Sequence, residues 1–410
     1  MSLYNANVKT WQIDPQFHSS NRRDVFRLDR GYEALFYSTL RILNIGVVTD
    51  KIQTPYNYLV GAHGAIKNIY LMDGKRVLSS MVDVRPYMGF LNQLKPNSSE
   101  MDVDKILKRH GLGYCLNREN PVGAEFEPAK ITEWFPNAPK EPTTSESTTP
   151  MAYLDLKSVF PMLRSVEFLH TGIFADLQVV IEYDTSKALV LDQEGTPSVV
   201  LNTTSPVLCV DEVLSKELAD KVMREFKGVV WNEIENEKVS LGQAELKKTW
   251  QLLGANNKTV DRILIVKTPT GTNGSQLYRN CGSQVMVGED FSLVINGSQL
   301  MSNQQTRPNM LLGLQTDTYG NAVCHSASND LPFYGAVDRF EDDFNARVGA
   351  LGYFACTIGQ PITKNIQLTY TREAREGGSA VYLIPLVINV YYEVAKEIVK
   401  TKDGYNVLYV

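Results

Sequence analysis

Apolar and polar residues alternate along most of the 410-residue chain. The period-two or β-rich segments are 33–48 (with Leu35, Tyr37, Thr39, Arg41, Leu43 and Ile45 in register), 66–72, 151–162, 173–183, 187–191, 260–267, 284–295, 349–358, 362–371 and 380–395. Strands with one apolar side predict antiparallel sheets packed face to face. The uniformly hydrophobic strands and regular βαβ spacing of parallel sheets are not the pattern here. Helical patterning is sparse. Residues 210–226 place Leu214, Leu218, Val222 and Phe226 four apart on one face, with Asp211 as the expected N-cap and Gly228 as the stop. The stretch 337–348 repeats that spacing with Phe340, Phe344 and Val348, and 102–111 makes a weaker case. The prediction is an all-β chain with a few short inserted helices covering sheet ends.

Two hairpin signals stand far apart. "EDFSLVINGSQLM" (289–301) runs an alternating strand into Asn296-Gly297, and "IKNIYLMDGKRVL" (66–78) does the same with Asp73-Gly74. A second internal match follows in the same order: "IFADLQVVIEYDT" (173–185) resembles "PITKNIQLTYTRE" (361–373), with Tyr183 over Tyr370. Two ordered matches predict a duplication, in which each half holds roughly what an eight-stranded jelly-roll sandwich with long loops requires. The expected division is an N-terminal arm over 1–24, a first jelly roll over 25–209, a junction helix over 210–228 and a second jelly roll over 229–410. "FPNAPKEPTTSESTTP" (135–150) is too rich in Pro, Thr and Ser to build a core and is expected as an exposed loop.

A hydrophobic content of 43% is enough for two sizeable cores. The five cysteines (115, 209, 281, 324 and 356) include no C-x-x-C pair, which argues against a disulfide framework and a structural zinc site. A net charge of -5 with no basic arm among the first 30 residues leaves no electrostatic footprint for nucleic acid. "VYLIPLVINVYYEVA" (381–395), the most apolar run, is short and carries Pro385 and Asn389, and the N-terminus lacks the apolar core of a secretory signal. The expectation is a soluble chain made in an intracellular compartment, with the sequons at Asn97, Asn202, Asn257, Asn273 and Asn296 unmodified.

Candidate chemistry is thin. The five histidines (18, 63, 110, 170 and 325) form no H-x-H or H-x-x-x-H pair, which disfavours a cupin-type or zincin-type metal site. Cys324 and His325 are adjacent, which in a strand would point them to opposite faces, so a nucleophile-base pair would need another His brought in by folding. "GAHGAIKN" (61–68) lacks phosphate-loop spacing, and "FEDDFN" (340–345) lacks the rhythm of a calcium loop. No catalytic, cofactor-binding or metal-binding residue is expected, and no cofactor. The 20 tyrosines are more suggestive, because Tyr suits surfaces that are both wet and packed. In "VINVYYEVAKEI" (387–398), either Tyr391 or Tyr392 serves a subunit interface, or one fills the core while the other caps a neighbouring strand.

"FSLVINGSQLMSNQQTRPNMLLGLQTDTYG" (291–320), the C-terminal "KNIQLTYTRE...LIPLVINVYYEVAKEIVKTKDGYNVLYV" and "GAIKNIYLMDGKRVLSSMVDVRPYMGFLNQL" (64–94) resemble the double jelly-roll major capsid proteins of tailless double-stranded DNA viruses, those of virophages and Polinton-like viruses above all. The resemblance implies two jelly rolls per chain and a homotrimer that presents six sandwiches as a pseudo-hexagonal capsomer. It also implies neighbouring capsomers, minor capsid and penton proteins as partners, an icosahedral virion shell as the location, and assembly inside the host cell. The absence of a basic arm adds that the shell does not bind nucleic acid directly and leaves the genome to an internal membrane or to separate basic proteins. The alternative is a glycan-binding β-sandwich, a viral spike or lectin-like protein, although "NQQTRPNM" (303–310) lacks the aromatic platform it needs. A β-sandwich hydrolase is a third reading, for which no nucleophile-base pair is found.

Overall fold

The computed structural model describes residues 7–19, 23–28, 33–45, 47–49, 66–87, 152–184, 199–201, 206–269, 290–299, 353–372, 385–402 and 404–410. Strands dominate, and they group by halves. From the N-terminus they are β1 (Val8–Ile13), β2 (Phe17–Ser19), β3 (Arg23–Arg27), β4 (Leu35–Tyr37), β5 (Arg41–Ile45), β6 (Val47–Thr49), β7 (Ile66–Asp73), β8 (Arg76–Val82), β9 (Ala152–Asp155), β10 (Phe168–His170), β11 (Leu177–Tyr183), β12 (Val199–Leu201) and β13 (Val207–Val213). After one helix (Lys216–Glu225) come β14 (Gly228–Leu241), β15 (Lys247–Gln251), β16 (Thr259–Pro269), β17 (Asp290–Ile295), β18 (Ser298–Gln299), β19 (Tyr353–Pro361), β20 (Ile366–Thr371), β21 (Leu386–Thr401) and β22 (Gly404–Tyr409).

The C-terminal set forms two sheets, ordered β14-β21-β16-β19 and β15-β20-β17-β18, with β22 added beside β21. Counting from β14, these are the first, eighth, third and sixth strands, facing the second, seventh, fourth and fifth. That interleaving defines a jelly roll. The N-terminal set repeats it: β1-β13-β5-β9 opposes β3-β11-β7-β8, with β2, β4 and β10 as additions and β6 paired to β12 as a separate ribbon. Each predicted landmark takes the same place in both rolls. The hairpins are the fourth and fifth strands, and Tyr183 and Tyr370 lie on the seventh.

Local sequence explains the register. Ile366, Leu368 and Tyr370 of β20 face inward and sit directly opposite Ile295, Leu293 and Phe291 of β17, the Phe291 and Tyr370 rings lying 5.0 Å apart. The β17–β18 turn has Asn296 at φ 54° and Gly297 at φ 86°, as a two-residue primed turn requires. The Asn296 side chain also fixes the neighbouring connection, accepting from the Thr363 and Lys364 amides (2.9 and 3.0 Å) and donating to Pro361 O (3.0 Å). In the first roll the turn residues are Gly74-Lys75, with Asp73 paired to Arg76, one residue later than the sequence suggested. Gly74 (φ 58°) takes the positive-φ position, and its amide donates to Asp176 O just as the Asn296 amide donates to Asn365 O.

Several boundaries differ from expectation. The segment read as an N-terminal arm is part of the roll. Val8–Ile13 pairs with β13 over six residues and supplies the first strand, and Phe17–Ser19 joins β3. Residues 210–213 belong to β13 rather than to the junction helix, which Ser215 caps by accepting from the Leu218 amide. Gly228 opens β14. The expected strand 151–162 holds only as far as Asp155: a 3-10 turn (Leu156–Ser158) and a helical turn started by Pro161 (Pro161–Arg164) follow. The loop expected at 135–150, the strand at 187–191 and the helices at 102–111 and 337–348 lie outside the described residues.

Two cores result. One is enclosed by the second roll; the other fills the first roll and continues through Trp231, Ile234, Leu264, Val266, Tyr391, Ile398 and Tyr405 of the second half. In β16, Ile263 and Ile265 face the second core while Leu264 and Val266 face the first. The β14-β21-β16 sheet is therefore buried on both sides, which is why "LVINVYY" (386–392) reads as an almost continuous apolar run.

Candidate assembly interface: the seam between the two rolls

Among the described residues strand β8 ends its sheet, and its outward amides and carbonyls have no ladder partner there. Side chains of the second roll satisfy them. The Ser80 amide donates to Glu233 Oε1 (2.6 Å), Lys396 Nζ donates to Leu78 O (2.8 Å), Asn236 Nδ2 donates to Val82 O (3.4 Å), and just past the strand Tyr391 Oη donates to Asp83 O (2.6 Å). Residues 78, 80 and 82 alternate, as the outward groups of an edge strand must. Further along, Arg76 Nη1 donates to Tyr405 O (3.0 Å), Tyr405 Oη donates to Asp73 Oδ2 (2.5 Å), and Lys238 pairs with Asp83.

The seam holds charge out of water. Glu233, Lys396 and Trp231 are 2%, 6% and 3% exposed, and the Trp231 indole N–H donates to the second Glu233 oxygen. Burial raises the Glu233 carboxyl above its ordinary value, opposed by Lys396 and by the Trp231, Ser80 and Ser79 hydrogen bonds. The same burial lowers the Lys396 ammonium, opposed by Glu233. A buried charge set of this kind adds little net stability but penalises any other arrangement of the two rolls, because shifting either roll strands a charge.

Tyr391 and Tyr392 divide between the two predicted roles in an unforeseen way. Tyr392 fills the second core and donates to Glu235 and Glu237 (3.0 and 3.2 Å); Tyr391 lies in the seam, an interface within one chain, beside Tyr87 at 5.3 Å between ring centroids. The described histidines serve the fold. His18 Nδ1 lies 2.5 Å from Asp24, which also accepts from Tyr183 Oη (2.8 Å), and His170 Nδ1 accepts from the Gly172 amide. Burial pushes the Cys356 thiol up to about 12, far from a nucleophile's range. Cys324-His325 and residues 340–345 lie outside the described residues, as do 61–65. Among the described residues no three His, Cys, Asp or Glu side chains cluster to hold a metal ion, and no helix is long and apolar enough to cross a membrane. The residues that matter here, Glu233 and Lys396, escaped the sequence reading; the available signal was a charge inside each of two strands otherwise destined for burial.

No protein-family model and no curated protein sequence matches the chain. Solved structures do. The mavirus major capsid protein superposes with a TM-score of 0.57 at 9% identity, covering 100% of this chain and 93% of that one. A chain of the PBCV-1 virus capsid gives 0.55 at 11% identity, covering 99% and 97%, and a chain of the Sputnik virophage structure gives 0.56 at 9%, covering 98% and 88%. With the strand order of both halves already fixed, the likeness leads to one conclusion: over its whole length the chain has the double jelly-roll fold of these viral major capsid proteins.

Proposed function

We propose that the chain is a major capsid protein, a structural and non-enzymatic component of a double-stranded DNA virus shell. In this reading it forms a homotrimer whose six jelly rolls make a pseudo-hexagonal capsomer that tiles an icosahedral virion. The observation that carries the reading is the seam. Two rolls of identical strand order are locked side by side by buried side-chain contacts, so one chain presents two near-equivalent blocks, as a threefold assembly with six-sided outline needs. The corrected boundaries, a first roll from β1 to β13 and a second from β14 onward with the Lys216–Glu225 helix between, are the units we assign to those blocks. A trimer of this kind buries on the order of 2,000 Å² or more per contact. Minor capsid and penton proteins are the further partners of such a tile, and an internal membrane or separate basic proteins would handle the genome, since a chain of net charge -5 offers nucleic acid little attraction.

Sedimentation under native conditions tests this directly. The expected species has three times the chain mass of 46.0 kDa and shows six-sided outlines in negative stain. A monomer retained on glycan columns would overturn the reading in favour of a glycan-binding sandwich.

A further inference from the structure

A cavity of about 570 Å³ opens at one end of the seam, and its walls come from both rolls. The first roll supplies the β7–β8 turn from Asp73 to Arg76, together with Ile173 and Ala175 on the approach to β11; the second supplies Gly404 and Tyr405 at the start of β22. The size lies within the range of ligand-holding pockets. Both turns bring glycine backbone to the opening. Gly74 (φ 58°) and Gly404 (φ 135°) take conformations that L side chains rarely adopt, and a Cβ on either would meet no atom within 4 Å, so the turns bend around open space rather than against protein.

Charge on these walls is not balanced within the fold. The carboxylates are spent: Asp73 accepts from the Asp176 amide (2.6 Å) and from Tyr405 Oη (2.5 Å), while Asp176 pairs with Arg27 (2.8 Å) and accepts from Gln178 Nε2 (2.5 Å). The cations are not. Arg76 gives one N–H to Tyr405 O and lies 5.1 Å from the centroid of that ring, and the Lys75 ammonium makes no hydrogen bond. Both are exposed, and among the described residues neither meets a carboxylate. Beside them Ile173, half-buried, and Ala175, exposed, form an aliphatic wall. A guanidinium steadied over an aromatic ring, an ammonium one residue away and an aliphatic wall fit a single carboxylate carried next to an apolar side chain. A bare phosphate would use the cations and leave that wall idle.

We propose that this cavity is a docking site for a short acidic segment of another polypeptide. An Asp or Glu side chain of that segment meets Lys75 and Arg76, and an adjoining aliphatic or aromatic residue packs on Ile173 and Ala175. An occupant touches both rolls at once, so its binding is linked to the stability of the seam: whatever holds the segment also holds the rolls together. The inference goes beyond the capsid reading and does not depend on it.

The test pans a phage-displayed random heptapeptide library against the native full-length protein and measures the selected peptides, synthesised with a fluorescent label, by anisotropy. The expected peptides carry Asp or Glu beside an aliphatic or aromatic residue. Lys75→Glu is expected to weaken their binding roughly tenfold or more, Lys75→Arg to keep most of it, and Ala175→Leu to weaken it by narrowing the cavity with both charges intact. Because the Lys75 side chain holds nothing in the fold, its variants report on the site rather than on folding. Saturating peptide is also expected to raise the thermal midpoint of the wild type and not that of Lys75→Glu. Selected peptides without an acidic residue, peptides that bind Lys75→Glu as tightly as wild type, or a library that yields no binder each overturn the inference. So does Lys75-dependent binding of inorganic phosphate or of phosphatidylserine-containing vesicles in place of peptide.

Discussion

Tyr391 and Tyr392 are consecutive in β21 and enter different cores: Tyr391 Oη donates to Asp83 O of the first roll at 2.6 Å, and Tyr392 Oη donates to Glu235 and Glu237 inside the second. Successive residues of a strand point to opposite faces, so one dipeptide serves two sandwiches only because the sheet carrying it has a core on each side. Tyr391→Phe keeps the ring and leaves the Asp83 carbonyl buried without that donor. The expected loss is about 1–3 kcal/mol of unfolding free energy, read from urea or guanidinium midpoints, while Tyr392→Phe relieves a phenol held against two carboxylates and costs less.

Acidity should act on the seam through Glu233 and Lys396 in opposite senses. The folded Glu233 carboxyl is raised, so the folded chain binds the extra proton: its contribution is most favourable below the ordinary carboxylate range and declines as pH rises through the raised value. The folded Lys396 ammonium is lowered, so stability through this group rises with pH between its lowered value and the ordinary lysine range. Denaturant midpoints measured across pH should therefore show Glu233→Gln flattening the acid limb and Lys396→Met flattening the alkaline one.

Asn296 combines a left-handed backbone with three side-chain hydrogen bonds to the β19–β20 connection. Asn296→Ala loses both. The predicted cost is about 1–3 kcal/mol, visible as a lower thermal midpoint, and Asn296→Asp should recover part of it because the two amides still find an acceptor.

Gly228 is where the helix gives way to β14, and a Cβ there would run into the backbone carbonyl of Ile398 across the sheet. A main-chain atom inside a paired sheet cannot step aside cheaply. Gly228→Ala is expected to destabilise by more than the roughly 0.5–1 kcal/mol of an ordinary glycine replacement, again as a shift in the unfolding midpoint.

Much of the architecture was legible because it is written locally. Alternation along "IQLTYT" and the Asn-Gly turn fixed the strands, and their repetition exposed the duplication. Where local chemistry was ambiguous the reading slipped. In "DGK" the glycine starts the turn rather than ending it, so the first hairpin moved by one residue. "VKTWQI" lies on an exposed edge with polar residues on one side, and passed for an arm until β13 was seen to pair with it. Asp211 belongs to a strand whose alternation continues to Val213, leaving Ser215 to cap the helix. The seam was not legible at all, since Ser80 meets Glu233 across 153 residues and Leu78 meets Lys396 across 318, and no periodicity encodes such partners.

Because the second roll meets β8 through carboxylate, ammonium, amide and phenol groups instead of extending its hydrogen-bonded ladder, each roll keeps its own strand register independent of the other. A change at one of those side chains weakens the bond between the sandwiches while leaving the ladders within each untouched, and the apolar core shared across the seam is what still holds them together.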